Sequence, residues 1–236
     1  MEAIKFVQSW NPMAGRKQEY ATFITGELQP GMKSLNLEVV SGWYTLMGEG
    51  PHVVMESAAQ SLSRVESALR DRGHHEMLRR FMNLVTGYSS GVFEPTGWET
   101  WHRGAVASEG AVKFVQSWNI LSGEGESYDC FLQDIYLPYM KGIGLEVASG
   151  WHLMVGSGPQ IHAEAIAPDL VTVSKALGDP RYLELTVRME ELVTNLGSRV
   201  MVRHRAFLDM LHDIYGRAIR SVEPDEMNSM VGPFGD

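Results

Sequence analysis

Nine residues near the start of this chain, AIKFVQSWN at 3–11, recur almost unchanged as AVKFVQSWN at 111–119. Holding that offset without gaps, Tyr20 meets Tyr128, Phe23 meets Phe131, Pro30 meets Pro138, and LEVVSGW (37–43) falls on LEVASGW (145–151). Gly48, Gly50 and Pro51 then match Gly156, Gly158 and Pro159, Glu56 matches Glu164, and Val85-Thr86 matches Val193-Thr194. About a third of the aligned positions are identical, so one unit is written twice, and whatever fold one copy adopts the other must adopt beside it. The boundaries expected from this are a first repeat over 1–97, a Gly- and Pro-containing connection over 98–110, a second repeat over 111–205, and a C-terminal helix and tail over 206–236.

Each copy reads in the same order. Residues 3–11 are β-branched and aromatic, hence a strand. Tyr20, Phe23, Ile24, Leu28 and Met32 recur at helical spacing, and Pro30 is expected to end or kink that helix. Residues 37–47 and 52–59 flank GEGP and read as a hairpin. Leu62, Val65 and Leu69 mark a second helix, which Asp169 is placed to cap in the second copy. A further helix over about 74–86 and a strand over about 88–93 (197–204 in the second copy) complete a βαββαβ unit of the ferredoxin-like kind.

The strands predict how the copies meet. In LEVVSGWYTLM, Leu37, Val39 and Trp43 fall on one face and Val40, Tyr44 and Leu46 on the other, so both faces carry apolar residues. Helices cover one face only, and a sheet with a wet second face alternates more cleanly than this. The uncovered face therefore calls for the tandem copy, tethered alongside at high effective concentration. The expected class is α+β: two tandem ferredoxin-like units with antiparallel sheets packed face to face as an intramolecular α+β barrel.

This layout resembles the dimeric α+β barrel superfamily, here as a fused pseudo-dimer. That superfamily includes cofactor-independent monooxygenases, muconolactone isomerases, polyketide cyclases and haem-degrading enzymes. The resemblance implies a small-molecule ligand and lies in layout, not in a catalytic motif. It leaves three functional readings open: a cofactor-independent enzyme acting on a small apolar organic substrate, a non-catalytic ligand-binding or assembly protein, and haem binding or degradation.

Composition narrows the partners. A formal charge of -9 offers no basic footprint for nucleic acid or an anionic membrane. No apolar run reaches the length of a membrane span, and the first residues lack a signal-peptide layout, so a cytoplasmic protein is expected. The single cysteine, Cys130, excludes an intrachain disulfide or a multi-cysteine metal site and is expected to be a small buried hydrophobe. No metal and no tightly bound cofactor are expected: His162-x-Glu164 supplies two ligands where zinc wants three or four, and His74-His75-Glu76 reads as a surface helix run. GEGP and GSGP join two strands, unlike phosphate-binding loops.

The candidate chemistry sits on the strands. With a two-residue turn at Ser157-Gly158, Trp151 lies opposite Glu164 and shares its face with Ser149 and His162. Copy one carries Trp43, Ser41 and Glu56 on the matching face, with Val54 in place of His162. Glu164 and His162 are the candidate acid/base pair; in the competing reading Glu56 and Glu164 are each hydrogen-bonded or paired with an arginine and hold the sheet contact together. Asn11 and Asn119, ending the first strands beside Trp10 and Trp118, either present an amide to a ligand or cap the loop that follows. The ligand-lining set is then Trp151, Ser149, Asn119, Trp118, Trp43, Glu56 and Asn11. Tyr20 and Tyr128 are expected to pack with exposed hydroxyls, and His152 to lie on the helix-facing side. The tail, with Phe207, Met210, Leu211, Ile214 and Tyr215 at helical spacing, is expected to pack on the body or to join a homo-oligomer, for which the outer surfaces are the other candidate.

Overall fold

The strand at the head of each copy sets the frame. In the computed structural model, which describes residues 4–97 and 111–203, copy one runs β1 (Ile4–Pro12), α1 (Lys17–Phe23), α2 (Gln29–Ser34), β2 (Glu38–Gly48), β3 (Val53–Ala59), α3 (Leu62–Arg70), α4 (Arg72–Phe81) and β4 (Val85–Pro95). Copy two repeats the order as β5 (Val112–Ile120), α5 (Gly125–Phe131), α6 (Leu137–Gly142), β6 (Glu146–Val155), β7 (Ile161–Ala167), α7 (Leu170–Leu177), α8 (Pro180–Glu190) and β8 (Val193–Arg203). The expected C-terminal helix and the connection bearing Trp98, Trp101, His102 and Arg103 lie outside the described residues.

Proline shapes the first helix of each copy differently from a simple stop. Pro30 has no N–H to give and its ring crowds the carbonyl four residues back. The chain answers with a π turn at Ile24–Leu28, in which the Gln29 N–H reaches back to the Ile24 carbonyl, and the helix then continues as α2. Copy two does the same at Leu132–Tyr136 before Pro138. Asp169 caps α7 as expected, accepting from the Thr172 N–H at 2.7 Å.

The eight strands close into one antiparallel barrel in the order β1-β3-β2-β8-β5-β7-β6-β4. Each copy contributes four consecutive strands, and the copies join at two seams, β2 with β8 and β4 with β6. Since every neighbouring pair is antiparallel, β1 and β5 run the same way, and the two copies are related by a pseudo-twofold along the barrel axis. One rim therefore carries Ile4, Pro95, Val112 and Arg203, the points where the chain enters and leaves the strands. The other rim carries the two hairpin turns. Glycine is needed where the seams close: Gly48 has φ +100°, and a Cβ there would come within 2.2 Å of the Ser198 carbonyl oxygen.

Three cores result. Between helices and sheet, copy one buries Phe6, Trp10, Leu28, Met32, Met55 and Phe81, and copy two buries Phe114, Trp118, Tyr136, Met140 and Leu185 among others. Inside the barrel lies a smaller apolar cluster of Trp43, Val54, Ala111, Val115 and Met201. Leu37 and Val39 belong to the outer core, on the face opposite Trp43. A bulge between Val39 and Ser41 reverses the alternation that placed all three together. No helix among the described residues is long and apolar enough to cross a membrane.

Candidate functional site

The inward faces of β1 and β5 carry one lysine each, and these lysines organise the lumen. Lys5 Nζ donates to Glu164 Oε2 at 2.8 Å and to Glu56 Oε1 at 3.3 Å. Lys113 Nζ donates to Glu56 Oε1 at 2.8 Å and Oε2 at 2.9 Å, and lies 3.4 Å from Glu164 Oε2. Each ammonium also sits over the tryptophan of the other copy, Lys5 4.0 Å from the Trp151 ring and Lys113 4.4 Å from the Trp43 ring. The Trp43 indole N–H and the Ser41 hydroxyl donate to Glu56, and the Trp151 indole N–H and the Ser149 hydroxyl donate to Glu164. Two buried cations and two buried anions thus balance, a condition for keeping charge out of water.

The expected cation beside these glutamates was arginine; lysine takes that place. Burial alone would raise the Glu56 carboxyl, but Lys113 and Lys5, with hydrogen bonds from Lys113 and Ser41, hold it well below the usual carboxylate range. Burial likewise opposes the charge on Lys113, and Glu164 and Glu56 raise it nonetheless. The two glutamates differ in one respect. Both oxygens of Glu56 are bonded, whereas Glu164 accepts everything on Oε2, and among the described residues its Oε1 accepts nothing.

Ser149, and not Trp151, lies opposite Glu164, and Trp151 lies opposite His162. The β6–β7 loop is longer than two residues: the Leu153 N–H still bonds the Gln160 carbonyl, and the ladder ends there. The register moves by two, and a shift of two keeps every side chain on its face. So the structure brings Trp151, Ser149, Glu164 and His162 together on the lumen side, with Trp43, Ser41, Glu56 and Val54 across the pseudo-twofold.

His162 stands apart from the charged network. Its ring meets Phe93 edge-on at 4.8 Å, near the Pro159 backbone at the hairpin rim. Burial, then Arg199, and to a lesser degree Lys5, push its pKa down to about 4, with Glu164 acting in the opposite direction. The imidazole is therefore neutral at pH 7. Arg199 is the residue that sequence reasoning missed here. It rises from β8 between Gly48 and Val115, and a Cβ on Gly50 would lie 3.3 Å from its Nη1. Both His162 and Arg199 are half-buried. Among the described residues Arg199 makes no side-chain hydrogen bond or ion pair, although Glu164 and Glu56 act on it electrostatically. The offset of the repeat puts Gly91 at its place in copy one, the signal that would have found it.

The other candidates fall into two groups. Asn11 and Asn119 accept through Oδ1 from the His52 and Gln160 backbone N–H groups, both at 2.8 Å. They pin the hairpins that frame the rim, in place of the loop after the first strand. Trp118 faces the helices, fully buried, and its indole N–H donates to the Tyr128 hydroxyl at 3.0 Å; Trp10 and Tyr20 do the same at 2.8 Å. The tyrosine hydroxyls are thus engaged where exposure was expected, and burial raises both phenols. His152 is 3.5 Å from Glu94 at the edge of the outer surface. Two expectations reverse. Cys130 is exposed on α5, because Tyr128 and Phe131 supply that helix's buried face. His74 is buried, sharing the inward face of α4 with Met77 and Phe81. No group of three or more potential metal ligands occurs among the described residues.

No family model matches the chain, and no curated protein matches it. Solved structures share its fold. An anthrone oxidase-like protein is similar at 9% identity, over 86% of this chain and 92% of that one, with a TM-score of 0.58. A "putative monooxygenase" from Fusobacterium nucleatum subsp. nucleatum is 6% identical over 86% of this chain and 92% of its own, TM-score 0.56. A variant chlorite dismutase from Candidatus Nitrospira defluvii is 12% identical over 89% and 95%, TM-score 0.51. At these identities the likeness is one of architecture: this chain has the dimeric α+β barrel fold, with both halves in one polypeptide.

Proposed function

We propose that the chain binds one small, largely apolar organic molecule carrying an acidic proton, at the hairpin rim on the copy-two side of the lumen, and that His162 accepts that proton. One observation carries the reading. The lumen network of lysine, glutamate, serine and tryptophan is the same in both copies, whereas His162 and Arg199 occur in copy two alone and take no part in it. Side chains kept in both copies suit the joint between them. Polar side chains present once, half-buried and outside that network, His162 held by the Pro159 backbone and Arg199 without a side-chain partner among the described residues, suit a ligand.

The chemistry follows from the charges. A carbon acid next to a carbonyl, or a phenol, loses its proton to the neutral imidazole, and the electron pair moves onto the substrate oxygen. Arg199 pairs with the oxyanion, as fixed cations do where negative charge develops. Pairing removes the second-largest cause of the low His162 pKa and so makes the imidazole a better base as the reaction proceeds. Oxygen Oε1 of Glu164 is a second acceptor deeper in the lumen. Trp151 and Phe93 form the apolar wall, and Asn119 holds the turn in place. The neighbours described as a monooxygenase and as anthrone oxidase-like support small-molecule chemistry on this scaffold, at the level of fold.

Native mass spectrometry of the purified protein comes first, to detect a co-purified small molecule, followed by calorimetric titration with benzoate as a simple apolar anion. Benzoate is expected to bind at pH 7, where it is an anion, with at least a tenfold loss of affinity in Arg199→Gly. Equal affinity in the wild type and Arg199→Gly would sink the proposal and leave the assembly reading standing.

A further inference from the structure

Among the described residues, four buried polar atoms in the outer core of copy one have no partner: Gln8 Oε1, Ser57 Oγ, and His74 Nδ1 and Nε2. Gln8 and Ser57 are fully buried and His74 is 2% exposed. Gln8 and Ser57 point to the same side of neighbouring strands, since Phe6 pairs with Ser57 and Gln8 with Met55. Leaving such atoms unpaired and dry is costly, and native proteins seldom do it.

Copy two shows what is missing. There Gln116 occupies the place of Gln8; its Oε1 accepts from the Tyr136 hydroxyl at 2.8 Å, and its Nε2 lies 3.5 Å from the Tyr182 hydroxyl. At the repeat offset, Tyr136 corresponds to Leu28, Tyr182 to His74 and Ala165 to Ser57. Copy one has thus lost two phenol hydroxyls and gained an imidazole and a serine. Tyr88, where copy two has Leu196, restores one contact by accepting from Gln8 Nε2 at 2.8 Å. Turning the Gln8 amide over would exchange which of its two atoms is orphaned and satisfy neither serine nor histidine.

We infer that copy one holds a buried solvent site between α4 and the outer face of β1 and β3, where neutral hydroxylic molecules, water in the free protein, stand in for the two tyrosine hydroxyls of copy two. The donor and acceptor balance selects that class. Gln8 Oε1 accepts, the Ser57 hydroxyl does both, and a neutral imidazole gives one of each. Burial and the neighbouring His75 keep the His74 imidazole neutral, against a weaker opposing effect of Asp71. A cation would meet the imidazole and serine donors and an anion the Gln8 oxygen, whereas water, with two donors and two acceptors, serves all four atoms. Met55 and Phe81 stand where copy two has Ala163 and Met189, so larger apolar neighbours take up part of the room that the lost phenol rings vacate.

Two measurements test this. A crystal structure at high resolution is expected to show at least one ordered water within about 3.2 Å of two of these atoms. Ser57→Ala is expected to lower the Tm by about 2–4 °C, because it removes one anchor of a hydrated network. In a dry pocket the same change deletes an orphaned hydroxyl, so a Tm that stays level or rises overturns the inference. So does a crystal structure with no density between the side chains, or with an organic molecule there. The wild-type density decides the matter should Ser57→Ala not fold.

Discussion

Copy one and copy two share a scaffold and diverge in opposite layers. Copy two has placed its new polar groups inside the barrel, His162 for Val54 and Arg199 for Gly91. Copy one has placed them outside it, under the helices, with Ser57 for Ala165, His74 for Tyr182 and Tyr88 for Leu196. Between these layers the inward network of Lys5, Lys113, Glu56 and Glu164 is unchanged. The positions that cannot vary are those where each copy completes the other: a lysine of one copy rests on the tryptophan of the other and bonds its carboxylate. Ser57, His74 and Tyr88, which serve only their own copy, differ from their counterparts.

The comparison can be broken most directly at the network. Glu56→Gln is expected to cost about 3–5 kcal/mol in urea unfolding, since it leaves buried lysines short of charge. Glu164→Gln should cost measurably less, because one of its oxygens has no partner among the described residues. Equal losses would mean that the two carboxylates are equivalent after all. Next come the seams. Gly48→Ala is expected to cost about 2–3 kcal/mol and Gly156→Ala about 1–2, both through positive φ. The difference arises because the new Cβ would meet the Ser198 oxygen at 2.2 Å in the first and the Ser90 oxygen at 3.0 Å in the second.

A third test uses acid. His162 has a folded pKa below its unfolded one, so the unfolded chain binds the proton more readily. Stability is full above about pH 6.5 and declines toward pH 4. His162→Val should remove part of that decline, on the order of 1–2 kcal/mol after discounting for partial exposure, as read from thermal melts across this range. The buried His74 contributes in the same direction, so His74→Tyr should remove a further part. Loss of stability at still lower pH, where Glu56 finally takes a proton, should persist in both variants. The smallest effect is expected at the hairpin pins: Asn11→Ala and Asn119→Ala should each cost about 1 kcal/mol, and equally, because each removes one hydrogen bond of the same length.

The fold was legible because a duplication prints every structural signal twice. Strands apolar on both faces required a second layer, and the tandem copy was the nearest. The face shared by Trp151, Ser149, Glu164 and His162 was legible too, since an error of two residues in the turn preserves parity. The lysines were not. In AIKFVQSWN a lysine between apolar residues looks like an outward-facing strand position, and lysine is rarely buried without a partner. Its partners lie 51 and 159 residues away, beyond any local pattern. The bulge at Val39/Ser41 and the π turn before Pro30 were equally hidden, because both insert one residue into a regular period without a distinctive sequence. His74 was misplaced for a related reason: the pair His74-His75 reads as polar, and only the docking of α4 decides which ring turns inward.

The entry and exit of both copies at one rim have an evolutionary consequence. A dimer of identical chains must make every substitution on both sides of its axis at once, so a histidine that helps a ligand on one side also replaces an apolar contact on the other. Joining the copies end to end in one chain lifts this obligation. Each half then becomes heritable on its own, and a symmetric ancestor can acquire one specialised pocket while the other half is kept for strength.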